Sequence, residues 1–341
     1  MWVIVRLACA AMAVTTPRAR LPRRRAPGAA RSAAQTGDRV LKVLCIGAAL
    51  LAAVVLIDIA YQIISGAQPA FGRFGLGFVS HTVWQPNDPF DRFGAGAALY
   101  GTAVTSVIAL AIGTPLGIAI GLFMALMAGP MTRRIVGPLV EMLAAVPSVI
   151  VGFWGVIFLA PFVHSTLEPA LHNTLGFTGL FGPPGTTGLS LFTAGLVLAF
   201  MILPIVASLS RDLFLTVPPE LRDGAEALGA TRWEVIRGVV LPSTASGVAA
   251  ATMLAFGRAL GEAIAVTYVI GSVNQVKGSL LDPGVTLASR IANDITYIES
   301  HYHLPSLYYC AVILLVISVL VNLARQWIGR RFDVQSTLVT T

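Results

Sequence analysis

About 20 apolar residues wound as an α-helix cross the ~30 Å hydrocarbon core of a bilayer. Runs of that kind recur in this chain at 43–64, 98–128, 135–163, 188–210, 243–270 and 306–328. Inside hydrocarbon every backbone N–H and C=O must find a partner within the protein, so such runs are helices or strands of a closed barrel. Runs this long without period-2 alternation are helices. Composition agrees: charged residues are 11% of the chain and hydrophobic ones 56%, against roughly 25% charged in a soluble domain. The expected fold is all-α, a polytopic bundle of six spanning helices.

The formal charge of +7 does not indicate a nucleic-acid surface, because the basic residues are segregated along the chain. Nine of the 23 precede the first span, and the loops at 129–134 and 211–242 and the C-terminal end bring that side to eighteen. The opposite side holds four, Arg73, Arg92, Lys277 and Arg290, and Arg258 falls inside a span. Cytoplasmic loops are enriched in Lys and Arg, so both termini are expected in the cytoplasm, which requires an even number of crossings. The expected organisation is a basic, irregular cytoplasmic tail over 1–42, a membrane domain over 43–328 and a cytoplasmic tail over 329–341. Residues 1–16 are apolar but short and interrupted by Arg6. The basic segment after them opposes export, so we read no signal peptide there, and Met12 is an alternative first residue.

Several chemistries are excluded. The two lysines, Lys42 and Lys277, follow Leu41 and Val276, whereas a phosphate-cradling P-loop needs Gly before its Lys. No HExxH helix and no Gly-x-Ser-x-Gly elbow occurs. His301 and His303 read as solvated loop histidines rather than metal ligands. Cys9, Cys45 and Cys310 read as small apolar residues. An enzyme reading has little support, and no cofactor is implied.

The loop at 211–242 carries the most information. Pro218–Pro242 reads PPELRDGAEALGATRWEVIRGVVLP, which predicts two short helices outside the membrane. The first opens at Pro219 or Glu220, has acids in its first turns and stops at Gly229. Leu221, Ala225 and Leu228 share one face. Thr231 and Glu234 have capping-box spacing, and the second helix runs to Pro242, where the fifth span begins. A helix of this kind either lies on lipid or docks a soluble partner.

The same stretch resembles the EAA loop of ABC importer permeases. Asp223-Gly224-Ala225 stand where Glu-Ala-Ala is usual, Gly229 takes the glycine, and Val239-Val240-Leu241-Pro242 the ending. Asp for Glu and Gly for Ala depart from the pattern, and Gly224 weakens the helix by up to ~1 kcal/mol. Two further stretches resemble the phosphate branch: Trp84-x-Pro86, Phe93-Gly94, Tyr100-Gly101-Thr102 and Pro115, and Gly257–Val266, which is similar to the fifth span of the C-type (PstC) subunit. The resemblance runs from about residue 40 to the C-terminus. It implies the type I permease fold in the plasma (inner) membrane and docking of Asp223, Gly224, Ala225, Gly229, Leu241 and Pro242 on ABC ATPase subunits. It also implies a second, homologous A-type permease subunit and an extracytoplasmic phosphate-binding protein. Molybdate or sulfate remains an alternative cargo, and a secondary transporter or channel acting alone is a rival class that this loop opposes.

Four ionisable residues fall in or near spans: Asp58, Glu141, Arg258 and Glu262. Each costs about 2.5–3.5 kcal/mol at a helix centre on insertion scales. Asp58 and Glu141 read as structural residues near span ends. Arg258 lies deep in the fifth span with Glu262 one turn on, which allows an ion pair that locks helices or an anion pathway. The resemblance favours the pathway. Gly247, Ala251, Ala255, Ala259 and Ala263 form a small-residue stripe that suits a second subunit or packing within the chain.

Overall fold

The computed structural model describes residues 28–87 and 91–337, with side chains from Asp38 to Trp327. Residues 1–27 of the expected basic tail lie outside the described residues. From Gly28 the chain is already helical: α1 covers Gly28–Phe74, so this part of the expected irregular tail is helix. It is rich in Ala, Leu and Arg, good helix formers. Contacts divide the chain between Ile59 and Ala60; the first unit is the leading part of α1, and the second holds all the elements that follow.

After α1 come α2 (Gly77–Ser80) and a two-residue antiparallel pair, β1 (Trp84–Gln85) with β2 (Arg92–Phe93). Helix α3 (Gly96–Leu122) continues through a π turn to Met127. Then come α4 (Pro130–Ala144) and α5 (Ser148–Trp154), which runs on through π turns and α6 (Ala160–Phe162) into α7 (Glu168–Leu175). Helix α8 (Leu191–Leu215) leads to α9 (Pro219–Ala227), α10 (Arg232–Val235), α11 (Leu241–Gly261), α12 (Ile264–Val269), α13 (Leu287–Asp294) and α14 (His303–Thr337). Six helical stretches are long and apolar enough to cross a membrane: Asp38–Phe74, Gly96–Met127, Ser148–Thr178, Leu191–Leu215, Arg232–Gly261 and His303–Trp327.

Small residues set the closest packing. Side chains added at Gly113, Gly117 and Gly121 would stand 2.8–2.9 Å from Ile202, Val206 and Ala207, so α3 lies almost backbone to backbone on α8. This is the small-xxx-small contact that replaces hydrophobic burial in lipid. The stripe on α11 is used within the chain: Ala251, Ala255 and Ala259 are buried, and a side chain at Gly247 would meet Leu213 of α8.

Two spans are not the continuous helices that hydropathy suggests. The segment 135–163 is broken at Ala145-Val146-Pro147, because Pro147 offers no N–H to the preceding turn and takes extended geometry. The segment 243–270 is broken at Glu262-Ala263, where Glu262 has ψ 118°. The breaks are neighbours: a side chain on Gly152 would lie 2.7 Å from the Ala265 Cα, and Val146 packs on the core that contains Ala259 and Ala265.

Candidate functional site: a docking loop and a broken-helix centre

The loop forms as its residues dictate at both caps. Pro219 opens α9, and Gly229 closes it at φ +89°. The Ala230 N–H donates to Ala225 O (3.1 Å) and the Gly229 N–H to Glu226 O (2.9 Å), the paired bonds of a Schellman cap. Nothing lies within 4 Å of a side chain added at Gly229, so its requirement is the left-handed backbone and not space. Thr231 then caps α10 with both bonds of the capping box. Bonds from the Thr231 N–H (2.7 Å) and hydroxyl (2.8 Å) hold the Glu234 carboxyl below its ordinary pKa.

The apolar positions Leu221, Ala225 and Leu228 differ in exposure: Ala225 packs on the core cluster that holds Phe214, Val217 and Val240, whereas Leu221 is 54% and Leu228 91% exposed. One expectation for the loop needs correction: the second helix does not end at Pro242. It passes through a π turn at Ile236–Val240 directly into α11. Proline lacks the N–H that an α-turn would need there, and the wider turn absorbs the defect. Asp223, Gly224 and Gly229 are exposed, Ala225 is half-buried, and Leu241 and Pro242 lie where the loop joins the span. The loop is therefore stiffly attached to α11, with Leu221, Leu228 and Trp233 (63% exposed) facing out.

At the other end of α11 the sequence placed Arg258 and Glu262 one turn apart. The structure does not pair them: α11 ends at Gly261, and the Glu262 Oε1 accepts the Ala265 N–H (3.3 Å), capping α12. Among the described residues Arg258 enters no ion pair. It is exposed on the isolated chain and lines a cleft of about 620 Å³ with residues of α8, α11 and α14. Glu141, read as structural, pairs with Arg211 at 3.5 Å.

The phosphate-type residues at the start of the second span have packing roles. Trp84 meets Phe93 edge to face at 4.9 Å across the strand pair. Gly94 and Gly101 lie hard against the carbonyls of His81 and Val285. The Thr102 hydroxyl accepts the Leu287 N–H at the start of α13 (2.9 Å), and the Tyr100 hydroxyl donates to Lys277 O (2.9 Å). Together these tie the segment before α13 to α3. His303 departs from expectation: it is 2% exposed, accepts the Glu299 N–H at Nδ1 (3.3 Å) and faces Asp294 at 3.4 Å. Asp294 in turn pairs with Arg290, whose guanidinium lies over Trp84. Period-3.6 reading of an outer loop could not reveal this network, because its members come from four separate segments.

A membrane bundle with a rigid loop continuous with one span and an arginine beside broken helices is the architecture of an importer's permease subunit. Residues 117–334 match the family model of the binding-protein-dependent transport system inner membrane component. The phosphate transport system permease protein PstC of Mesorhizobium japonicum is 39% identical over 304 residues, covering 88% of this chain and 92% of that protein. PstC of Haemophilus influenzae is 40% identical over 72% of this chain and 78% of its own length. PstC 2 of Mycobacterium tuberculosis is 36% identical over 87% and 93%. A chain of a bacterial alginate ABC transporter, solved in complex with an alginate pentasaccharide-bound periplasmic protein, superposes with TM-score 0.56 at 18% identity, covering 86% of this chain and 96% of that one; this likeness concerns the fold. The chain belongs to the binding-protein-dependent inner-membrane components, in their PstC-type branch. Permeases of this fold work with ATP-hydrolysing and binding-protein partners.

Proposed function

We propose that this subunit, with a homologous A-type permease, forms the path for inorganic phosphate across the inner membrane, and that Arg258 contacts the anion. The observation that carries this reading is a guanidinium with no ion pair among the described residues, set in a cleft one turn before the helix break at Glu262. A lone charge at that depth is costly, and its planar fork suits phosphate oxygens. Glu262 acts beside it by capping α12 and so fixing the break. Both termini lie in the cytoplasm, as the basic asymmetry suggests. The loop at 218–242 seats on the ATPase through Asp223, Gly224, Ala225 and the exposed Leu221 and Leu228, and its junction at Leu241 and Pro242 passes the movement to α11. A phosphate-binding protein delivers the anion from outside.

The test is phosphate uptake by the assembled importer carrying Arg258→Gln. Uptake is expected to fall by at least tenfold while the amount of complex and basal ATP hydrolysis hold. Arg258→Lys should recover part of it, since it restores the charge without the fork. Full uptake by Arg258→Gln at normal complex levels would remove Arg258 from the path. Competition by unlabelled sulfate and molybdate checks the cargo; effective competition by either would reassign it.

A further inference from the structure

Opposite Arg258 the cleft is walled by α14, which contributes Ser318, Asn322 and Arg325. These positions have i, i+4, i+7 spacing and so form one polar stripe on a helix whose other residues from Leu314 to Ala324 are apolar. Ser318 is spent locally, its hydroxyl donating to Leu314 O at 2.8 Å. Asn322 and Arg325 are not: among the described residues Arg325, like Arg258, enters no ion pair, and no carboxylate lines the cleft. Met253 and Leu254 form part of the apolar wall.

Position along the axis orders these groups. Helix α14 runs antiparallel to α11, whose first residues adjoin the docking loop. At 1.5 Å per residue, Ser318 and Arg325 fall about 22 and about 33 Å from His303. Arg258 is about 26 Å beyond Leu241 on the same scale. The cleft therefore runs from Arg258, three residues before the end of α11, back toward the end of the bundle that carries the loop, and Arg325 stands on that side of it. Two guanidiniums without an ion pair among the described residues line this one cleft of about 620 Å³, with an amide and no acid beside them, and so select for an anion with several acceptor oxygens. Neither group could be neutralised by proton loss.

We propose that Asn322 and Arg325 form a second anion station, which takes phosphate from Arg258 and passes it toward the docking-loop side. This rests on the reading of Arg258 given above. The station acts after the anion has entered, so it governs the rate of passage and not the capture of phosphate by the binding protein. A phosphate group at this level could also belong to a lipid headgroup held by Arg325, and the two sources predict different dependence on the bilayer.

The whole importer, reconstituted with its binding protein and ATPase, is assayed for labelled phosphate uptake in vesicles of phosphatidylcholine and in vesicles containing phosphatidylglycerol. For Arg325→Gln the maximal rate should fall about tenfold in both, with half-saturating phosphate within twofold of wild type. Arg325→Lys should recover a part, and Asn322→Leu should lose severalfold. Rates are taken per recovered complex, so poor assembly does not imitate the effect. Uptake by Arg325→Gln within twofold of wild type, or a defect confined to vesicles with phosphatidylglycerol, would overturn the station. If Arg258→Gln is inactive while Arg325→Gln is normal, the station alone fails; if both transport normally, the pathway reading fails with it.

Discussion

Gly229 and Gly224 sit five residues apart in the loop at 218–242 and have opposite requirements. Both face open space, but only Gly229 has a positive φ. Gly229→Val forces a β-branched residue into the left-handed region, at about 1–3 kcal/mol, and loosens the Schellman cap that orients α9. Recovery of the ATPase with the purified permease should fall at least severalfold, while Gly229→Asn, which tolerates that conformation, should stay close to wild type. Gly224→Ala has nothing to clash with and gains helix propensity of up to ~1 kcal/mol; ATPase recovery should be kept or rise. Equal loss in Gly229→Val and Gly229→Asn would show that backbone conformation is not what the position supplies. Gly229 was legible in the sequence because helix stops depend on local chemistry. Asn322 and Arg325 were not, since a polar stripe at a span's end looks like an interfacial anchor until the helix opposite is known.

At the scale of elements, length and hydropathy gave the number of spans, while bounds and continuity escaped them: the third was expected at 135–163 and is Ser148–Thr178, and the fifth was expected at 243–270 and is Arg232–Gly261. Pro147 and Glu262 each sit in an apolar run that hydropathy treats as uniform, and whether a helix breaks there depends on what the neighbouring helix offers. Pro242 shows the reverse: it looks like a boundary, yet the π turn at Ile236–Val240 carries the helix through it. The Arg258–Glu262 pair failed for the same reason, because i, i+4 spacing brings side chains together only where the helix is unbroken. The capping box at Thr231 depends on charge as well as geometry. Glu234 has a lowered pKa, so its contribution is complete above the ordinary carboxylate value and is lost as pH falls through the lowered one. Amide exchange, corrected for the intrinsic effect of pH, should show Arg232–Val235 losing protection at acid pH in the wild type. Glu234→Gln should be weakly protected at every pH; an acid-dependent loss that persists in this variant would assign the titration to another group.

For the whole molecule, the chief consequence of the fold is its sidedness. Loop 218–242 joins the inner ends of α8 and α11 in the proposed orientation, while β1, β2 and the segment from 271 to 302 lie at the opposite end. Arg133, Arg134, Arg211, Arg222, Arg232 and Arg237 lie toward the loop end, which supports the proposed orientation. Arg290 would report poorly because its side chain is only 10% exposed, so accessible positions are needed. Ser80 and Lys277 are exposed at one end of the bundle and Arg232 at the other. With Cys45 and the remaining cysteines replaced, Ser80→Cys and Lys277→Cys should react with an impermeant maleimide in intact cells. Arg232→Cys should react only after the membrane is opened. The assembled importer is the right background, since a partner seated on the loop shields position 232 in proportion to its occupancy. Removing the ATPase should then speed labelling of Arg232→Cys in opened cells and leave Ser80→Cys unchanged. Labelling of Arg232→Cys in intact cells would invert the bundle, place the loop at 218–242 outside and leave a cytoplasmic ATPase no access to it.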